Sequence, residues 1–146
     1  MEGCAFCEVV EGRRDHDVIA AANDVVAFLC DPPATLGHTL IVPQAHRTDI
    51  WDVEPGEAAA VVELARRLSA VMRDRLGAVG VNLRQNSGAQ AGQDVFHFHL
   101  HVVPRYQDDT VLPGCVWGLP PWQPPPNDAQ DRQRLAETLR AGLASG

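Results

Sequence analysis

The sequence predicts an α+β fold in one domain, residues 1–146, with an antiparallel sheet of about five strands, one long central helix and a C-terminal helix. Two observations lead to this class. Short segments rich in apolar and β-branched residues end at turn-forming residues, which is typical of strands. One long segment instead repeats its apolar residues at helical spacing. A chain of 146 residues is long enough to bury a hydrophobic core.

The strands are assigned from apolar or alternating segments bounded by proline, glycine or aspartate. They are residues 24–30, 37–43, 79–86 and 94–104, with a weaker edge strand near residues 17–19. Pro43 and Pro104 are expected to end two of these segments, because proline cannot donate a hydrogen bond to a sheet.

Two helices follow from the apolar periodicity, and both are expected on one side of the sheet. The longer begins at residues 54–57, where acidic side chains favour the positive end of a helix, and it ends at Gly77. Its apolar residues are Val61, Leu64, Ala65, Leu68, Val71, Met72 and Leu76. The C-terminal helix is expected to take Asn127 as its N-cap, with an apolar stripe of Leu135, Leu139 and Leu143.

The segment between the last strand and the last helix has a different composition. Residues 107–126 are rich in proline, glycine and tryptophan. This predicts an irregular, extended segment, and we expect it to pack across a partner subunit.

Composition and charge exclude several classes of function. The formal net charge is -7 and no cluster of basic residues interrupts it, which argues against a surface for duplex nucleic acid. No apolar run approaches membrane-spanning length, and the N-terminus lacks the basic start and apolar core of a signal peptide. We therefore expect a soluble cytoplasmic protein without a membrane or a duplex nucleic acid as partner.

Residues 97–103, HFHLHVV, carry three of the six histidines at alternate positions. In a strand His97, His99 and His101 would share one face. The apolar residues Phe96, Phe98, Leu100 and Val102 would share the other face. A solvated polar face normally mixes Thr, Lys, Glu and Ser, so three adjacent imidazoles indicate chemistry.

Two kinds of chemistry remain open for these histidines. They could bind a catalytic zinc ion that keeps an open position for water. Alternate residues of one strand are spaced by roughly 6–7 Å, however, so three of them surround one ion poorly. Alternatively, one neutral imidazole attacks a phosphate and its neighbours hold the phosphate charge. The small residues of the preceding loop, 87–93, offer backbone N–H groups that could cradle such an anion.

Cys4 and Cys7 form a Cys-x-x-Cys pair at the extreme N-terminus. In a reducing compartment such a pair is usually half of a metal site or a redox pair. A redox pair of the thioredoxin type would follow a strand and open a helix, so the position favours a metal site with two further ligands.

Together these motifs resemble the histidine triad (HIT) family. The segment GQDVFHFHLHVVPR resembles the family signature His-x-His-x-His-x-x, LGHTLIVPQAH resembles a second block, and CAFC resembles the zinc-binding start of many bacterial members. The resemblance covers roughly residues 4 to 106. It implies a nucleotide hydrolase or transferase that cleaves at an α-phosphate through a nucleotidyl-histidine intermediate. It also implies a homodimer in which two sheets join.

The resemblance assigns a separate role to each histidine. His99 is the implied nucleophile, and the backbone carbonyl of His97 is expected to fix its tautomer. His101 would hydrogen-bond phosphate or leaving-group oxygens, and His38 would support the site from the neighbouring strand. Asn86 and Gln93 match positions near the phosphate, whereas Phe6, Val9 and Phe28 match positions that enclose the base. For the phenylalanines taken alone, core packing is the better interpretation.

The same resemblance supplies the two missing metal ligands. Zinc-containing relatives use two cysteines and two histidines, which here are Cys4, Cys7, His46 and His97. Such a closed set would hold one structural zinc ion per chain and leave no position open for water.

The sequence departs from the family at positions that bear on the substrate. Where relatives carry an acid or amide that contacts ribose, this chain has Cys30, and the acid follows as Asp31. One residue along a strand changes the face, so either the chain slips locally and Asp31 still binds the ribose, or ribose recognition is altered. Asp94 stands where many relatives have a hydroxyl residue, so it must point away from phosphate or meet a cationic leaving group. Leu36 replaces a common proline. The alternatives to an enzyme of this type are a hydrolase with catalytic zinc in the histidine cluster and a non-catalytic nucleotide-binding or interaction module.

Overall fold

The computed structural model describes residues 3–14, 17–107, 109 and 128–146. Its helices are α1 (Ala5–Val10), α2 (Pro55–Leu76) and α3 (Ala129–Ala144), with a 3₁₀ turn at Ala89–Ala91. Its strands are β1 (Val18–Ala22), β2 (Val25–Leu29), β3 (Thr39–Pro43), β4 (Gly80–Arg84) and β5 (Leu100–Arg105). The irregular segment predicted for residues 107–126 lies almost entirely outside the described residues.

The five strands form one antiparallel sheet in the order β1-β2-β3-β5-β4. The α+β class with about five strands is therefore confirmed. Because β5 lies between β3 and β4, Leu40 and Arg84 are the residues directly opposite His101 on the two neighbouring strands.

The sheet is covered on both faces. Val25, Ala27 and Leu29 of β2 join the larger apolar core, to which α2 and α3 also contribute. Val26 and Phe28 face the other way and form a smaller cluster together with Val9 of α1 and residues of β3. The two longer helices share one side of the sheet as predicted, whereas α1, which the sequence analysis did not predict, covers part of the other side.

The helix boundaries follow local capping chemistry. Glu54 is the N-cap of α2, and its backbone N–H donates to the Glu57 carboxylate at 2.9 Å in a capping box. Gly77 ends the helix in the left-handed conformation, with φ of 73°. For α3 the predicted cap was wrong by one residue: the N-cap is Asp128, which accepts the N–H of Asp131 at 2.9 Å, rather than Asn127.

The last strand differs most from its prediction. It begins at Leu100 rather than at residue 94, because the backbone N–H of Phe98 donates to the carbonyl of Arg47 and not to a neighbouring strand. Pro104 does not end it, since the strand continues to Arg105 with Pro104 paired opposite Val81. Phe96 was expected on the core face but is 49% exposed. None of the described helices is long and apolar enough to cross a membrane.

The contact between α2 and α3 leads to a stability prediction. A methyl group on Gly142 would overlap the side chain of Val71. We expect Gly142→Ala to destabilise the protein by about 1–3 kcal/mol, since overpacking forces a helix to shift. Urea unfolding measures this, and Val71→Ala in the same chain should restore part of the loss. Gly56→Ala, which meets no heavy atom within 4 Å, is the control and should cause no loss. Equal stability of Gly142→Ala and the wild type would contradict the close packing.

Candidate functional site

The histidines at positions 97, 99 and 101 lie close together but have different surroundings. His101 belongs to β5, whereas His97 and His99 precede the strand. His97 and His99 are almost fully buried, with 0% and 2% exposure, and His101 is half-buried. The ring centroids of His99 and His101 are 5.1 Å apart.

His99 is held as a neutral imidazole with one nitrogen available. Its Nδ1 lies 2.7 Å from the backbone carbonyl oxygen of His97, so Nδ1 carries the hydrogen and donates it. The lone pair is then on Nε2. Burial lowers the pKa of His99 below its usual value of 6.5, which favours the neutral form. This arrangement suits a nucleophile.

A chain of hydrogen bonds fixes the tautomers of the other two imidazoles. The backbone N–H of Ala34 donates to Nδ1 of His38 at 2.8 Å, so the His38 hydrogen is on Nε2. That hydrogen points at Nδ1 of His101, 2.9 Å away, and Nε2 of His101 in turn carries a hydrogen to donate. Burial is the main cause that lowers the pKa of His38 to about 3 and that of His101 to about 4. Both rings are therefore neutral at physiological pH.

The N-terminal cysteine pair meets two histidines, as the motifs predicted. One ligand atom from each of Cys4, Cys7, His46 and His97 lies within 4.8 Å of the others, so this group could hold a metal ion. The Sγ of Cys7 is 3.3 Å from Nδ1 of His46 and 3.5 Å from Nδ1 of His97. Sulfur and nitrogen ligands of one tetrahedral zinc ion lie about 3.5 Å apart, given bonds of roughly 2.3 and 2.0 Å. The donor set fits zinc.

The surroundings of His97 support this function as a ligand. Its Nε2 is 2.9 Å from the carbonyl oxygen of Pro43, which accepts the ring hydrogen and leaves Nδ1 free to face the cysteines. Cys4 precedes α1 and Cys7 lies within it, so α1 places both sulfur atoms beside the end of β3.

A second group, Cys30, His38 and His101, also places its ligand atoms within 4.8 Å of one another. It suits a metal ion less well. His38 already accepts a backbone N–H at Nδ1, so an ion at Nε2 would require an imidazolate or the loss of that hydrogen bond. His99 belongs to neither group. The geometry therefore favours the closed cysteine and histidine set over a catalytic zinc ion among the triad histidines.

Three apolar residues were predicted beside the base. Val9 and Phe28 are buried in the smaller core cluster, at 3% and 1% exposure. Phe6 is partly exposed, and its ring centroid lies 5.5 Å from Phe28 and 5.1 Å from His99. Of the three, Phe6 is the residue that joins the apolar cluster to His99.

The loop before the histidines uses four of its backbone N–H groups internally, which leaves fewer of them for the expected cradle. The N–H groups of Gly88, Ala91, Gly92 and Gln93 all donate within the loop. The Gln93 amide accepts from Gly88 and donates to the carbonyls of Thr48 and Val95. Gln93 therefore holds the loop in place with its side chain.

The side chain of Asn86 donates one amide hydrogen to the carbonyl oxygen of Gly92, and its Oδ1 accepts from Arg84.

Arg84 is a further residue of this site, and the sequence pattern did not indicate it. Its charge contributes to the lowered pKa of His101, although burial is the largest cause. Cross-strand pairing, which places Arg84 opposite His101, cannot be seen in the pattern of a single strand.

Cys30 and Asp31, which depart from the family pattern, lie in different surroundings. Asp31 is exposed, and its carboxylate lies 3.5 Å from the guanidinium of Arg132 on α3. The thiol of Cys30 is instead the group beside His38 and His101. Asp94 lies beside His99, with its Oδ1 4.0 Å from Nε2 of that imidazole. Leu36 is exposed, and its carbonyl accepts the hydroxyl of Tyr106.

Comparison with known proteins agrees with this geometry. The HIT domain family model matches residues 11–108. The Hit protein of Bacillus subtilis is 31% identical over 144 residues, which cover 99% of this chain and 97% of that protein. A zinc-bound histidine triad family protein from Mycobacterium smegmatis superposes with a TM-score of 0.82 at 33% identity, covering 98% of this chain and 94% of that one.

A third similar protein is described by an activity. A HIT family hydrolase from Legionella pneumophila superposes with a TM-score of 0.61 at 27% identity, covering 72% of this chain and 95% of that one. The family model spans most of the described chain, and the Bacillus subtilis and Mycobacterium smegmatis proteins align over nearly its full length. The histidine and cysteine motifs lie close together in the structure. The chain belongs to the HIT family.

Proposed function

We propose that this protein is a hydrolase or nucleotidyltransferase that cleaves nucleotide conjugates at the α-phosphate through a nucleotidyl intermediate on His99. One observation carries the proposal: Nδ1–H of His99 is committed to the carbonyl of His97 at 2.7 Å, which leaves Nε2 as a buried, neutral nucleophile. Membership of a family that includes a described hydrolase supports an enzymatic activity.

The chemistry takes two displacements. Nε2 of His99 forms a bond to phosphorus, the bond to the leaving group breaks, and its electron pair remains on the leaving atom, which takes up a proton from solvent when it needs one. Water or another acceptor then bonds to phosphorus and loses its proton to solvent, while the electron pair of the P–N bond returns to Nε2. Two in-line displacements leave the configuration at phosphorus unchanged.

The neighbouring groups bind the phosphate rather than exchange protons. Nε2–H of His101 is oriented by His38 and donates to a phosphate oxygen, where negative charge builds up. Asn86 has a second amide hydrogen, which would also donate to a phosphate oxygen. Gln93 acts through the loop that it holds. Phe6 contacts the base, with Val9 and Phe28 packed behind it.

The cysteine and histidine set is proposed to hold one structural zinc ion per chain. The zinc-bound relative supports this assignment. A bound ion supplies a cross-link between α1 and the segment that carries His97, and no chemical step depends on it.

A homodimer is also proposed, on the evidence of β4. This strand lies at one edge of the sheet and exposes Val81 and Leu83, at 39% and 49%. An exposed edge with apolar side chains favours pairing with a second copy.

The first prediction concerns the nucleophile. His99→Asn should lower kcat/KM by at least ~10³-fold, because it removes the imidazole nitrogen that would bond to phosphorus. Turnover is measured with a panel of dinucleoside polyphosphates, nucleoside phosphoramidates and nucleotidyl sugars. Mass spectrometry of the quenched wild-type reaction should show one nucleotidyl adduct, which His99→Asn should lack.

Arg66→Gln, on the exposed side of α2, is the matched control and should retain both activity and adduct. If the wild-type protein binds nucleotides but forms neither adduct nor product across the panel, the protein is a binding module instead of an enzyme.

The second prediction concerns the metal. Elemental analysis should give about one zinc ion per chain, lost in Cys4→Ser or Cys7→Ser and retained in Cys30→Ser, because only the first two belong to the closed set. The His99→Asn protein should also retain zinc. Zinc that survives both N-terminal changes but is lost in Cys30→Ser would place the ion among the triad histidines.

The third prediction concerns stability and pH. His101 is expected to titrate near 6.5 in the unfolded chain, but its folded pKa is about 4, so the unfolded state binds more protons below pH 6.5. Its contribution to stability is present above pH 6.5 and lost as the pH falls towards 4. At pH 5 this loss is on the order of 2 kcal/mol.

Urea unfolding at pH 7 and pH 5 measures the loss in the wild type and in His101→Gln. The variant should lose less stability than the wild type. Zinc release at low pH affects both proteins, so the difference between them isolates the imidazole. An equal loss in both would show that His101 is not held neutral by burial.

A further inference from the structure

We propose that Asp94 and the cleft beside it form a subsite for a positively charged leaving group. The preferred conjugates would carry an ammonium group a few atoms beyond the phosphorus. This inference rests on the proposed attack by His99, and it specifies the substrate class that the same site takes.

The position of Asp94 is the first argument. Its Oδ1 lies 4.0 Å from Nε2 of His99, the nitrogen that would attack phosphorus. The N–H of Val95 donates to the same oxygen at 2.9 Å, which holds the carboxylate over the nucleophile. The side chain is 86% exposed, so the carboxylate lies at the mouth of the site and not inside it.

Electrostatics is the second argument. A phosphate bound at His99 would lie close to this carboxylate, and like charges repel. Among the described residues no arginine forms an ion pair with Asp94, and the sequence has no lysine. Arg84, whose charge reaches His101, forms no ion pair with Asp94, so the described residues supply no direct arginine partner for this carboxylate. A cation on the substrate would supply a partner.

The charge of Asp94 also reaches the other groups of the site. Burial lowers the pKa of His99 and of His101, and Asp94 opposes that change at both residues. Its carboxylate therefore acts on the space in which the phosphate and leaving group would lie.

The adjoining cleft is the third argument. It has a volume of about 550 Å³, within the range of small-molecule sites. Asp94, Val95, Phe96 and Thr48 line it next to the metal ligands Cys4 and His46. Phe96 is 49% exposed, so its ring is accessible to a cation beside the carboxylate.

An organic cation suits this cleft better than a hydrated divalent ion. Magnesium requires octahedral oxygen ligands, often from more than one carboxylate together with phosphates. Asp94 is the only carboxylate among the described residues that line the cleft, and the aromatic ring beside it offers no oxygen. An amine with a short apolar spacer can use both groups.

The test compares three adenosine 5′-phosphoramidates that differ only in the leaving amine. The amines are 1,2-diaminoethane, propylamine and β-alanine, which are similar in length and end in a positive, a neutral and a negative group. The P–N bond breaks and its electron pair leaves with the amine nitrogen, which takes up a proton from solvent. The wild type should prefer the first compound over the second by roughly five- to tenfold in kcat/KM, and the third should be the poorest.

Asp94→Asn and Asp94→Ser should reduce the preference for the positive over the neutral amine to within about twofold. Intrinsic differences between the compounds cancel, because the same three are compared in each protein. Asp74→Asn on the exposed side of α2 changes the net charge equally and should keep the wild-type preference.

Two further outcomes would overturn the subsite. One is an unchanged preference in both Asp94 variants, and the other is a magnesium requirement that disappears in them. No turnover of any compound by the wild type would instead overturn the proposed function. In that case calorimetry on the His99→Asn protein still tests the subsite, because binding should follow the same order of charge and lose it when Asp94→Asn is added.

Discussion

His97 is the residue on which the rest of the site depends. Its Nε2–H is bound by the carbonyl of Pro43, its Nδ1 faces Cys7 and its partner ligands, and its own carbonyl accepts the Nδ1–H of His99. The His97 side chain therefore joins the N-terminal helix to the end of β3, while the backbone of the same residue sets the tautomer of His99. A displacement of His97 would disturb the metal ligands and the orientation of His99 together.

Burial is the main influence on the pKa values of the histidines in this site. It is the largest cause of the lowered pKa at His38, His97, His99 and His101. An imidazole needs a free lone pair to bind a metal ion or to attack a phosphate. Desolvation keeps the ring neutral at neutral pH, so the lone pair is available without a basic neighbour. The same burial makes the fold sensitive to acid, because the unfolded chain can take up protons that the folded site excludes.

Local patterns were sufficient where the determining contacts are local. The ends of α2 were predicted correctly because Glu54 and Gly77 act within one helical turn. The start of β5 was predicted wrongly, because the backbone N–H of Phe98 donates to the carbonyl of Arg47, which is distant in sequence. The four candidate metal ligands were predicted from motif resemblance, and the structure brings them together. Four backbone N–H groups of the loop before the histidines are used internally, because small residues permit open N–H groups but do not prevent their use within the loop.

The residue proposed to carry out the chemistry is buried, whereas the residues proposed to select the leaving group are exposed. His99 is 2% exposed, donates a hydrogen bond to the carbonyl of His97 and packs against the rings of Phe6 and His101, so its replacement affects several contacts. Asp94 and Phe96 are exposed and contribute little to the core, so their replacement has a small cost in stability. Positions of this kind can change charge while the nucleophile and its tautomer stay fixed. On the proposed mechanism, residues at the mouth of the site can therefore select different leaving groups, and the proposed subsite at Asp94 favours cationic ones.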